Sequence, residues 1–244
     1  MTQPLVQRLS YHPDPRYLAT SDRKVAARIR LIEANVDVTD KVVLDLGCSG
    51  GSFSFSMARR ARRVIAIDGD AEVIDRNRAI QKDLELENIE FVHANLDADL
   101  IEGVDPVDVT LFLSVYHHML AISDAYDWNI GCTREAAEKL IDRVNSNTSV
   151  LCFEIGYPNE GYEWCGRLPH FGDDWDEYVY GNIFKGAYRS VAALTPDIHV
   201  GWLNKHVVSR LSAPYKEDSV MMQRAKNFFG FDSRDLRKIY IGRK

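Results

Sequence analysis

A cluster of glycines and a distant acid are the first residues of this chain that could do chemistry. Gly47, Gly50 and Gly51 follow directly on the apolar run Val42, Val43, Leu44 and Leu46. Asp68 stands roughly 20 residues further on, a spacing at which a carboxylate accepts from both hydroxyls of a ribose. A dinucleotide would also need G-x-G-x-x-G, because its pyrophosphate rests on backbone amides at a helix start. Counted from Gly47, Ser49 and Ser52 occupy the positions of the second and third glycines, so that reading fails. S-adenosylmethionine (SAM) has a ribose and an adenine but no phosphate, and it does not need that spacing. Asp45, inside the apolar run, is placed to hold the turn's amides or to sit near a cationic amino acid moiety.

Two further groups carry chemistry. His117 and His118 are adjacent at the end of another apolar run, where a pair of imidazoles can act as general base, as donors or as cationic anion ligands. Glu154 ends the run V-L-C-F-E-I-G, and a buried acid there needs a partner or a cavity. Beyond it, residues 156–180 are rich in Tyr, Trp, Gly and acids, with Tyr157, Trp164 and Arg167 among them, and have no clear period. A long irregular segment after a strand reads as a cover over a substrate.

Alternating strands and helices must position these residues. The apolar run Val42 to Leu46 reads as a parallel strand covered on both faces. Ser52 is the expected N-cap of a helix through Ala61, followed by a strand Val64 to Ile67 that presents Asp68 at its carboxyl end. A helix is expected from Asp70 to about Leu86, on a stripe of Val73, Ile74, Ile80 and Leu84, and another from Ser21 to about Asn35. Strands are expected at Ile89 to Ala94, Val107 to Val115 and Val150 to Ile155, with a helix from Thr133 to about Val144. Asn182 to Leu194 reads as helix, Ile198 to Leu203 as a sixth strand and Lys216 to Phe229 as helix. Lys238 to Gly242 reads as a terminal strand, antiparallel beside the fifth.

Composition bounds the partners. The 244 residues suffice for one large α/β domain, read here as a single domain over 1–244 with 1–36 as N-terminal arm and helix and 156–195 as the cover insertion. A net charge of −6 argues against a large nucleic-acid footprint. Cys48, Cys132, Cys152 and Cys165 are scattered without C-x-x-C pairing, which points to a reducing cytoplasm and to neither a zinc site nor a disulfide framework. Asp124 and Asp127 lack a clear third ligand, so no metal is expected. No apolar run is long enough to span a bilayer.

The stretch Asp45 to Gly51 resembles motif I of the class I SAM-dependent methyltransferases, D-x-G-C-x-x-G, with Ser49 where a glycine is commonest. L-S-V-Y-H-H (Leu113 to His118) and F-E-I-G-Y-P-N-E-G-Y-E-W (Phe153 to Trp164) together are similar to the methyltransferase domain of WbdD-type enzymes, which terminate O-antigen polysaccharides by phosphorylating a terminal sugar and methylating the phosphate. D-L-G-C-S-G-G has a looser similarity to bicoid-interacting-type RNA phosphate methyltransferases. The resemblance implies a Rossmann-like seven-stranded sheet with helices on both faces and an insert after strand five. It implies SAM held by Asp45, Gly47, Cys48, Ser49, Gly51, Phe53, Asp68, Gly69, Asn95, Leu96, Asp97 and Ser114. Catalysis would fall to His117 and His118, and acceptor binding to Tyr116, Glu154, Tyr157, Trp164 and Arg167, with Lys185 and Arg189 as further cations for an anionic acceptor. The expected reaction is O-methylation of a glycan, a sugar phosphate or a related small polar molecule, in the service of polysaccharide biosynthesis. The competing readings are a methyltransferase acting on RNA ends or another macromolecule, and a SAM-binding partner subunit without catalysis.

Overall fold

The computed structural model describes residues 21–121, 134–155, 175–195 and 237–244. The N-terminal arm, Tyr157, Trp164, Arg167, the strand expected at 198–203 and the helix expected at 216–229 lie outside the described residues.

Helix α1 (Ser21–Asn35) leads into β1 (Val42–Leu46), α2 (Ser52–Ala58), β2 (Arg63–Asp68), α3 (Ala71–Asp83) and β3 (Ile89–His93). Then come α4 (Ala98–Glu102), β4 (Val107–Leu113), α5 (Tyr116–Ala121), α6 (Arg134–Asn147) and β5 (Thr148–Glu154). A one-turn helix α7 (Trp175–Tyr178) runs into a π-helix (Val179–Phe184), and β6 (Ser190–Leu194) and β7 (Ile239–Arg243) complete the order.

The seven strands form one sheet in the order β3-β2-β1-β4-β5-β7-β6. Neighbours from β3 to β5 are parallel, while β7 runs antiparallel to both β5 and β6. This is the expected seven-stranded α/β sheet with its antiparallel terminal strand. Period-two alternation divides each strand between two cores. Leu44, Leu46, Phe112, Phe153 and Tyr240 face α6 and the π-helix, while Val43, Ala66, Leu111, Cys152 and Ile241 face α1, α2 and α3. Both faces are apolar because both are covered, which is why β1 reads as a continuous hydrophobic run.

Three local expectations need correction. Ser52 is the first helical residue of α2, and the N-cap is Gly51, left-handed at φ 74 with no side-chain cap. A short helix, α4, follows β3, capped by Asp97, whose side chain accepts from the Leu100 N–H at 2.7 Å. The helix expected over Asn182 to Leu194 is instead the end of the π-helix, a turn and β6. Lys185 and Gly186 are both left-handed, at φ 49 and 72, so they stop the helix. The alanine-rich run after them then pairs along β7, where sheet contacts outweigh helix propensity.

Candidate cofactor and acceptor site

The chain leaves β1 toward β2 and β3 on one side and returns to β4 on the other, so strand order reverses between β1 and β4. Open α/β sheets bind ligands at the carboxyl edge of such a switch point. Here the edge is tight. A Cβ added to Gly47 would lie 2.3 Å from Val115 Cγ2, just beyond β4, and Gly47 has φ 72. Glycine is therefore required at this position on two counts.

The turn after β1 is held from β2. Ile67 carbonyl oxygen accepts the N–H of Gly47 at 2.8 Å and of Cys48 at 3.0 Å. Asp68 Oδ2 accepts the Ser49 N–H at 2.8 Å, and Oδ1 accepts the Asp70 N–H at 3.0 Å. Asp45, expected either to hold the turn's amides or to sit near a cationic amino acid moiety, does not hold the amides. It is buried and accepts from Ser54 Oγ at 2.5 Å. The acid that holds the turn is Asp68. It is half-buried, and a carboxylate has about four acceptor directions, so it can hold the turn and still accept from a ribose diol.

Burial pushes the Asp45 carboxyl up to about 6 from 3.8, against the pull of the Ser54 hydrogen bond and with help from the Asp68 charge. The folded chain thus keeps this proton to a higher pH than the unfolded chain. The stability contribution is fully present below the unfolded value of 3.8 and is lost as pH rises through about 6. The shift of about two units is worth about 3 kcal/mol. Relative to Asp45→Asn, the parent should lose about 2 kcal/mol of that unfolding free energy between pH 4 and pH 6. Parallel stability curves in denaturant titrations across that range would show that Asp45 is not desolvated as described.

Ser49 is left-handed at φ 47, a conformation costing a non-glycine residue about 1–2 kcal/mol. Its carbonyl accepts from Asn77 Nδ2 at 2.7 Å. Asn77, from the middle of α3, is absent from the sequence-based site. Its signal was available, since it falls on the same helical stripe as Val73 and Ile74 and is the polar member of it. Cys48 is buried, and burial, with Asp45 and Asp68 adding, holds its thiol far above the usual range, so it is protonated and not a nucleophile.

The residues expected around adenine separate. Leu96 belongs to the core and Asp97 caps α4. Asn95 is exposed beside Gly69, its Oδ1 within 3.0 Å of where a Cβ there would sit, at the joined tips of β2 and β3. Phe53, half-buried on α2, lies under Arg28, whose guanidinium carbon is 5.0 Å from the ring centroid.

A charged cluster occupies the tips of β4 and β5. Ser114 is left-handed at φ 61, with its N–H donating to Glu154 O at 3.0 Å. Its hydroxyl donates to Glu154 Oε1 and accepts from Arg28 Nη2 at 3.2 Å and from Arg237 Nη1 at 2.9 Å. Glu154, only 1% exposed, also pairs with Arg28 Nε at 2.8 Å and with Arg237 Nη1 at 3.5 Å. The Arg28 Nε contact is an ion pair and not an aligned hydrogen bond. Two guanidiniums from opposite ends of the described chain thus converge on one buried carboxylate. Neither was foreseen, because nothing local to residue 28 or 237 reveals that they meet.

The other acceptor-side expectations fare unevenly. Tyr116 packs its ring edge-on between Phe112 and Phe153, at 6.1 and 5.8 Å, and belongs to the core at 2% exposure. His117 is also buried, at 1% exposure in the first turn of α5. His118 lies on α5, and its side chain is outside the described residues. Lys185 and Arg189 sit at the opposite edge of the sheet: Arg189 N–H donates to Arg243 O at the far end of β7, and Lys185 pairs with Asp142 at 2.7 Å. Among the described residues no group of three or more His, Cys, Asp or Glu could hold a metal ion, and no helix is long and apolar enough to cross a membrane.

Residues 43–128 match the methyltransferase domain family. Among curated proteins, the chain is 35% identical over 142 residues to the 23S rRNA (uracil(1939)-C(5))-methyltransferase RlmD of Aliivibrio salmonicida, which covers 54% of this chain and 31% of that protein. It is 28% identical over 125 residues to the O-antigen chain terminator bifunctional methyltransferase/kinase WbdD of Escherichia coli, covering 50% of this chain and 16% of that protein. The chain therefore spans less than a third of the length of these relatives. Among solved structures, a crystal structure of WbdD superimposes with a TM-score of 0.54 at 19% identity, over 96% of this chain and 41% of that one. The fold is that of the class I methyltransferases.

Proposed function

We propose that this chain, a class I methyltransferase by its sheet and by the domain match over residues 43–128, transfers a methyl group from SAM to an oxygen of a glycan, a sugar phosphate or a related small polar acceptor. The observation that carries the cofactor reading is the turn at the β1/β4 switch point, closed on Val115 and fastened to a half-buried Asp68 at the tip of β2. The residues present fit SAM: Asp68 for the ribose hydroxyls, Asn95 and Gly69 at the adenine end, and the Gly47 to Ser49 backbone between them. Bound SAM would supply an electrophilic methyl. The chain's own part is to align the acceptor and manage its charge. Arg28, the more exposed partner of Glu154, brings a guanidinium to the tips of β4 and β5, which supports an acceptor carrying negative charge. His118, on the helix that follows β4, would take a proton from a hydroxyl or, protonated, donate to a phosphate.

The test is a panel of phosphorylated and unphosphorylated sugars incubated with SAM, read by mass spectrometry for methyl gain, followed by turnover against pH on the best acceptor. With a phosphate nucleophile the rate should fall as pH rises past the range where an ordinary imidazole loses its proton, about 6.5, and His118→Gln should keep part of the activity. With a hydroxyl the rate should rise through that value, and His118→Ala should cost about a hundredfold. Full activity of His118→Ala at every pH would remove the histidine from both versions.

A second reading, methylation of RNA, is supported by the ribosomal RNA methyltransferase among the relatives. The net charge of −6 opposes it. Binding of RNA that weakens steeply with salt would favour it; no measurable RNA binding at low salt would dismiss it.

A further inference from the structure

Ser49 is the residue of the glycine turn whose backbone conformation is costly, and it is held from both sides. Its N–H donates to Asp68 Oδ2 at 2.8 Å, and its carbonyl accepts from Asn77 Nδ2 at 2.7 Å. Asn77 is fully buried at 0% exposure, with its amide nitrogen also 4.0 Å from Cys48 Sγ. The turn lies directly over it, since a Cβ on Gly51 would come within 3.3 Å of Asn77 Cγ. Asn77 Oδ1 is buried without a hydrogen-bond partner, a cost that a leucine at this place on the stripe would not carry. Packing alone therefore does not account for an amide here, whereas donation to Ser49 does.

We propose that Asn77 is a positioning residue for the cofactor: by holding the Ser49 peptide left-handed, it keeps the Ser49 N–H on Asp68 and so orients that carboxylate for the ribose before the cofactor arrives. The proposal rests on the SAM reading above. Without the amide, Ser49 relaxes toward the right-handed or extended regions open to it, its N–H leaves Asp68, and the turn must be rebuilt on binding. Glycine at 49 would adopt the left-handed conformation unaided, so the need for Asn77 should fall in that background. The two positions are thus coupled, and the coupling is measurable as non-additivity.

The experiment is calorimetric titration of the full chain with SAM, together with thermal unfolding of the ligand-free protein, for the parent, Asn77→Ala, Asn77→Leu, Ser49→Gly and the double variant Ser49→Gly/Asn77→Ala. Loss of one hydrogen bond to a strained peptide should weaken SAM binding by about tenfold in Asn77→Ala and in Asn77→Leu. In the Ser49→Gly background the same alanine substitution should cost less than about threefold. Parent-like affinity in Asn77→Leu, or an equal loss in both backgrounds, overturns the proposal while leaving the SAM reading intact. A parent that does not bind SAM overturns both. Unfolding of both Asn77 variants without repair by Ser49→Gly also overturns it, because the amide would then support α3 and not the turn.

Discussion

Asp68→Ala should weaken SAM binding by about 10²–10⁴-fold while leaving the sheet intact. Two hydrogen bonds from ribose hydroxyls to an ionised carboxylate are worth about 1.5–3 kcal/mol each, which sets that range. The structure adds a second loss in the same direction. Asp68 also accepts from Ser49 and Asp70, so its removal frees the turn that the cofactor must meet. The fold should survive because Asp68 is at a strand tip, half-buried, and β2 remains paired with β1 and β3. Asp68→Asn separates the two contributions: its side-chain oxygen can accept one backbone N–H, yet it lacks the charge. Titration calorimetry on the three proteins checks this, with circular dichroism as the control for folding. Unchanged affinity in Asp68→Ala, or tight NAD binding by the parent, defeats the assignment.

The second large effect is on stability. Glu154→Ala should cost about 3–5 kcal/mol, because it leaves the Arg28 and Arg237 guanidiniums facing each other without their shared carboxylate. In a chain of this length that corresponds to a fall of about 6–20 °C in Tm. Arg28→Ala should cost less, since Arg237 still pairs with Glu154 and the Arg28 side chain is the more exposed of the two. Chemical denaturation of the three proteins measures the difference. A loss below about 1 kcal/mol for Glu154→Ala would mean that solvent screens the cluster and that it is no buried ion network.

What was legible in the sequence is what local pattern encodes. The apolar runs at Val42, Val64, Ile89, Val107 and Val150 gave five strands in the right order, and K-I-Y-I-G gave the terminal one, because strands covered on both faces have no polar side to hide the signal. The alanines of the 182–194 segment favour helix in isolation, whereas its structure is decided by β7, more than forty residues away. The division of labour between two acids was also out of reach. Asp45 and Asp68 were both visible, but which of them fastens the turn depends on Ser54 and Ile67 taking the other partners. Arg28 and Arg237 are not legible locally because each acts on a residue remote in sequence, whereas Asn77 is marked only as the polar member of an apolar stripe, with no local sign of what it holds.

The place of β7 between β5 and β6 has a consequence in time. Among the described strands β6 has no neighbour other than β7, and Arg237, which reaches Ser114, directly precedes β7. During synthesis the segment Ser190–Leu194 emerges well before Ile239–Arg243 and must wait with both edges open. The charged cluster waits as well, since of its two described guanidiniums Glu154 has that of Arg28 alone until the later segment arrives. Closure of the sheet and completion of the Arg28–Glu154–Arg237 cluster are therefore the same late event. A nascent chain that has already built its glycine turn is still without the second guanidinium, so the turn and the ion cluster are completed at different times.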